Sequence, residues 1–164
     1  MTTDMYWLTL GYQTCESVAE LAALAAHYKA IVVDVRLNPV SSRPDFTKKS
    51  LELVLGPQHY VHIEEWGKVR KKAVIKNLAG GLNRLYNLLA TQPSSVIIMC
   101  SCANYDVCHS KVLTETILEP LGTALERKGV QLRTARIWGS RSEPRPALPY
   151  KRPAKARRIG VTNK

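Results

Sequence analysis

AIVVDV (30–35) is a run of apolar, largely β-branched residues interrupted only by Asp34, and SVIIMC (95–100) is a second run of the same kind. Alternating sequence marks a sheet with one wet face; continuous apolar sequence marks a strand covered on both faces of a parallel sheet. Two such runs therefore imply at least two central parallel strands. Outward from them, YWLTL (6–10) reads as a first strand closed by Gly11, YVHI (60–63) as a short strand and QLRTARIW (131–138) as a last one. The intervening segments have helical spacing. SVAELAALAAHY (17–28) carries a capping-box pair, Ser17 with Glu20; KKSLELVL (48–55) ends at Gly56-Pro57; and HSKVLTETILEPL (109–121) precedes Gly122 and a short piece over 123–128. Residues 72–90 are also helical in pattern, interrupted by Gly80-Gly81 and stopped near Pro93.

Strands that alternate with helices predict an α/β fold: a single domain with a mostly parallel open sheet and helices on both faces, a Rossmann-like three-layer arrangement. A chain of 164 residues suits one domain, over residues 1–139. The net charge of +11 is unevenly placed. Residues 140–164 hold eight Lys or Arg against Glu143 alone, with four prolines and few large apolar groups, so this stretch is expected to be a flexible basic tail. Such a tail is suited to nucleic acid. No apolar run approaches the ~20 residues that cross a bilayer, and the N-terminus lacks a basic stretch ahead of an apolar one. No membrane association is expected, and a cytoplasmic protein is. Four cysteines, three of them within 100–108, are too few and too crowded for a disulfide scaffold and fit reduced thiols in a reducing compartment.

In open parallel sheets, ligands gather beyond the carboxyl ends of the strands. Two loops answer that description. RLNPVSSRPDF (36–46) follows AIVVDV and offers Asp34, Arg36, Ser41, Ser42 and Arg43; the second loop follows SVIIMC and offers Cys100, Cys102, Cys108 and His109. Cys108 and His109 stand where the next helix begins, and the exposed amides and dipole of a helix N-terminus favour a thiolate, the nucleophilic and metal-binding form. Arg36 and Arg43 could grip an anion bidentately with Ser42 assisting, although Asp34 and Arg36 could equally form an ion pair that orients the loop. His62 is the better site candidate of the pair His59 and His62. Cys15, alone near a turn, reads as structural, and Cys100 at the end of an apolar strand could be core. Zinc on Cys100, Cys102, Cys108 and His109 is a lesser reading, because structural zinc sites use two separated ligand pairs. A low-molecular-weight phosphatase loop is set aside, since no arginine follows between Cys100 and Ser110.

The motifs VDVRLNPVSSRPDF (33–46), YVHIEEWG (60–67) and CSCANYDVCHS (100–110), with LTLGY (8–12) before them, resemble the DUF488 family, a domain of unknown function. The resemblance implies an α/β fold and a cysteine site suggestive of an enzyme. It maps onto Asp34, Arg36, Pro39, Ser42, Arg43, His62, Gly67, Cys100, Cys108 and His109. Ser110 stands where the family usually has arginine, Trp66 where leucine is common, and Cys102 lies outside the pattern. A looser, fold-level similarity is to rhodanese-like domains. The expectation that follows is a thiol-dependent enzyme acting on an anionic small molecule, nucleotide or nucleic acid, with Cys100 or Cys108 as nucleophile, His109 or His62 in acid–base work, and Asp34, Arg36, Ser42 and Arg43 at the substrate. No cofactor is expected. The rivals are a nucleic-acid-binding module that uses the tail and a zinc-stabilised fold.

Overall fold

A computed structural model describes residues 3–69, 74–102, 104–137 and 148–149. Strands β1 (Thr3–Gly11), β2 (Ala30–Asp34), β3 (Tyr60–His62), β4 (Ser95–Cys100), β5 (Val130–Ile137) and β6 (Leu148–Pro149) form one sheet in the order β3-β2-β4-β1-β5-β6. The first five run parallel, and β6 pairs antiparallel with β5. The two apolar runs lie side by side, Ile31 opposite Val96 and Asp34 opposite Met99. Every residue of β2 and of β4 is buried, as their apolar sequence requires.

Helices α1 (Val18–Tyr28) and α2 (Lys48–Leu55) pack on one face of this sheet, around Leu8, Leu21, Val32, Phe46, Leu51 and Ile97. On the other face, α3 (Leu78–Thr91) and α4 (His109–Glu126) bury Trp7, Val33, Leu85, Ile98, Leu113 and Ile117. The architecture is the expected three-layer α/β domain. Among the described residues no helix is long and apolar enough to cross a membrane.

Several boundaries move, each for a local reason. Ser17 caps α1 by accepting from the Glu20 amide, but Glu20 Oε2 accepts from the Glu16 amide at 2.7 Å, one residue short of a reciprocal capping box. Helix α3 starts at Leu78, capped by Asn77; residues 74–77 stay outside it because Ile75 bridges to Lys68. The double glycine does not interrupt α3. Gly81 is needed where the helix meets the Trp66 ring, since a Cβ there would lie 2.2 Å from Trp66 Nε1. Helix α4 runs past Pro120 and Gly122 to Glu126, because the buried Leu121, Gly122 and Leu125 continue its apolar stripe. That burial outweighs the one helical hydrogen bond that proline removes. Within the expected tail, Leu148–Pro149 is strand β6; the remainder of residues 140–164, and with it the expected flexibility and the 139/140 boundary, lies outside the described residues.

Candidate active site

The strands β1, β4 and β2 end together, with Gly11 opposite Cys100 in register. From β4 the chain passes through a short 3-10 turn, Tyr105–Val107, whose carbonyl at Tyr105 accepts from the Cys108 amide. Cys108 is the N-cap of α4. Its extended backbone (φ −88°, ψ 144°) turns Sγ back over the first turn, where it accepts from the Ser110 amide at 3.4 Å. A thiol in the place usually held by serine or aspartate meets the same unpaired amides and the same positive helix end.

Four groups surround that sulfur. Cys100 Sγ lies 2.9 Å away, the Ser110 hydroxyl 2.9 Å, and His109 Nδ1 3.9 Å, while Ser110 Oγ also lies 3.3 Å from Cys100 Sγ. His109 Nε2 donates to the Val35 carbonyl at 3.0 Å, which fixes the ring and leaves Nδ1 towards the sulfur. Cys100, Cys108, His109 and Ser110 are all buried; Cys102 is half-buried, and the three sulfurs lie within 4.8 Å of one another, close enough to hold a metal ion.

The environment drives the two buried thiols apart. Hydrogen bonds from Cys100 and Cys102, then from His109 and Ser110, hold the Cys108 thiol far below the ordinary range against the opposing effect of burial. Cys100 is pushed far up by its bonds to Cys102 and Cys108 and by burial. Burial pulls His109 down, but its bonds to Cys102, Cys108 and the Val35 carbonyl, together with the Cys108 charge, raise it to about 9. These directions favour a Cys108 thiolate facing a protonated His109, with Cys100 as a neutral donor. Cys15, by contrast, is pushed up to about 12 by burial and by Glu20. It is an inert core thiol.

The loop after β2 behaves differently. Asp34 is fully buried and accepts from the Arg36 amide, from Arg36 Nε at 2.9 Å and Nη2 at 2.6 Å, and from the Tyr60 hydroxyl at 2.6 Å. Arg36 Nη1 donates to the carbonyls of Phe46 and Val40. Of the two roles open to Arg36 in the sequence, this geometry is that of the loop brace. Arg43 donates to the carbonyls of Tyr12, Cys15 and Glu16, and its guanidinium lies over the Phe46 ring. His62 Nε2 donates to the Arg36 carbonyl at 2.6 Å.

A cleft of about 690 Å³ opens at these strand ends, lined by Tyr12, Arg36, Ser41, Ser42, Lys68, Cys102 and His109 among others. It brings Arg36 and Ser42 together with His109 and Cys102. Arg43, His62, Asp34, Cys100 and Cys108 are not part of its lining, and Asp34, Cys100 and Cys108 are buried. Sequence reasoning passed over three contributors. Tyr12 follows the end of β1 and was findable by the same strand-end argument; Lys68 follows Gly67 without a motif of its own; and the Val35 carbonyl, as backbone, leaves no mark in residue identity.

In comparison with known proteins, residues 14–77 fit the family described as Domain of unknown function DUF488. The fit covers the Asp34–Arg43 loop and His62 and ends before the cysteine segment. No curated protein and no solved structure matches the chain.

Proposed function

We propose, starting from the fit of residues 14–77 to the DUF488 family, that this chain is a thiol-dependent enzyme with Cys108 as its nucleophile. The observation that carries the reading is the N-cap position of Cys108, with the Ser110 amide and hydroxyl, the Cys100 thiol and His109 Nδ1 all directed at one sulfur. An activated nucleophile requires such an environment, and a structural buried cysteine does not.

In this reading Cys108 attacks an electrophilic centre of a substrate seated in the cleft, and His109 Nδ1 delivers a proton to the leaving group. Lys68 supplies positive potential and Ser42 a hydroxyl, so the substrate class is a small anion. Arg43 and His62 act on the loop and not on the substrate. The test is alkylation of the reduced protein by iodoacetamide across pH, with each thiol mapped. Cys108 is expected to reach its half-maximal rate far below the unperturbed ~8.5 while Cys15 and Cys100 stay protected. If all four thiols titrate near that ordinary value, the activated nucleophile is lost.

The three clustered sulfurs favour one second reading, a zinc ion on Cys100, Cys102 and Cys108 with His109 adjoining. Zinc–sulfur bonds of about 2.3 Å in a tetrahedron set sulfurs about 3.8 Å apart. Cys100 and Cys108, 2.9 Å apart, would have to separate to share the ion. Stoichiometric zinc by elemental analysis of the purified protein would favour this reading over the first.

A further inference from the structure

The neutral thiol behind the nucleophile has no part in the reaction outlined above, yet it is fixed as firmly as the nucleophile itself. Cys100 ends β4, the central buried strand, and Cys108 caps α4, so both sulfurs are mounted on rigid elements and meet at 2.9 Å. A disulfide requires about 2.05 Å between sulfurs, so bond formation needs a movement of less than an ångström at each side chain. Both groups are shielded from water, with Cys100 wholly buried and Cys108 2% exposed. Cys108 does not line the cleft and is almost wholly buried, so a small reagent is the one best suited to reach it.

We propose that Cys108 and Cys100 are a two-electron dithiol–disulfide couple that reduces hydrogen peroxide and, on doing so, withdraws the nucleophile from use. The inference rests on the reading of Cys108 as nucleophile. In the first step Cys108 Sγ attacks one peroxide oxygen: an S–O bond forms, the O–O bond breaks, and the departing hydroxide takes the His109 Nδ1 proton and leaves as water. Cys108 is then a sulfenic acid. In the second step Cys100 Sγ attacks the oxidised sulfur: the S–S bond forms, the S–O bond breaks, and the hydroxide leaves as a second water with the Cys100 proton. Two thiols and one peroxide become one disulfide and two waters. Cys102, half-buried at the cleft, is the alternative resolving thiol that the experiment must separate.

The reduced full chain is treated with near-stoichiometric hydrogen peroxide, its remaining thiols are capped, and it is cleaved without reductant before Asp106, which divides Cys108 from Cys100 and Cys102. The expected product is lighter by two hydrogens, joins the peptide ending at Tyr105 to the one beginning at Asp106, and carries the cap on Cys102. Dithiothreitol should restore the original mass and the low-pH alkylation of Cys108. A link to Cys102, or no link at peroxide doses that oxidise the same chain in denaturant, overturns the couple. Cys100→Ala gives a second readout, a sulfenic acid at Cys108 trapped by dimedone; a disulfide of unchanged yield in that variant also overturns it. Low-pH alkylation of Cys108 without any disulfide rejects the couple and leaves the nucleophile standing. Failure of both rejects the nucleophile as well.

Discussion

Two loops leave the same edge of the sheet, after β2 and after β4, and both carry the charged or reactive residues that strand ends conventionally offer to ligands. After β2, each strong donor meets an internal acceptor: Arg36 on Asp34, Phe46 and Val40, Arg43 on three carbonyls of the β1–α1 connection. After β4, the polar atoms are turned on one another, so that Cys108, Cys100, Ser110 and His109 perturb each other's protonation. The first arrangement is a frame and the second is poised for reaction. A charge at a strand end is therefore weak grounds for a binding role until its partners are known.

The frame should break with the largest effect. Arg36→Leu leaves Asp34 buried without its counter-charge, and removing one partner of a buried pair costs about 3–5 kcal/mol. Chemical denaturation read by tryptophan fluorescence measures it. Arg43→Ala, at a side chain 26% exposed, should cost about 1 kcal/mol, chiefly through hydrogen bonds to the β1–α1 carbonyls. Equal losses for the two would erase the distinction between a buried brace and a surface one.

The fold was legible to the extent that it rests on runs and periods. AIVVDV and SVIIMC announced the parallel centre because burial on both faces suppresses alternation, and four helices followed from spacing. The continuation of α4 past Gly122 was hidden, because a residue preference at one position was set against burial contributed by strands distant in sequence. The cysteine site was visible as residue types at a strand end, including Cys100, Cys108 and His109. Which of them share a cleft was not, since Arg36 and Arg43 look alike in sequence and differ in the partners that the fold brings to them, a buried carboxylate for one and three carbonyls for the other. Ser110 stood out solely as a departure from the family pattern, and its contact with two sulfurs required the helix to be built.

The reactive arrangement should show itself in the pH dependence of stability. Cys108 is depressed in the folded state, so its contribution is present above the unfolded thiol value of ~8.5 and fades as pH falls; His109 is raised to about 9, so its contribution is full below the unfolded imidazole value of ~6.5 and is lost as pH rises through 9. Between ~6.5 and ~8.5 the folded chain has moved one proton from sulfur to imidazole and binds as many as the unfolded chain. The stability difference between the wild type and Cys108→Ser should therefore rise up to pH ~6.5, stay level to ~8.5, then fall. Parallel urea titrations at a series of pH values measure it. A difference that varies smoothly through the level region would show that the thiolate–imidazolium pair is not the folded state's form.

The smallest expected effect on stability sharpens the comparison from outside. Of the +11 net charge, +7 belongs to residues 140–164, remote in sequence from both loops. Replacing Lys151, Arg152, Lys155, Arg157 and Arg158 by Gln keeps Leu148–Pro149 paired with β5 while removing five positive charges. A change of charge alone should move stability by no more than about 0.5 kcal/mol, and alkylation of Cys108 should keep its pH profile. Affinity for nucleic acid, if the basic segment supplies it, should instead fall together with the slope of binding against salt. Loss of binding at an unchanged alkylation profile would assign the segment to a nucleic-acid partner and leave the thiol chemistry to the domain. Unchanged binding would remove the segment as the binder. A shifted alkylation profile would mean that its charge reaches the cleft, and that the boundary between frame and reactive loop must be drawn with the C-terminal residues included.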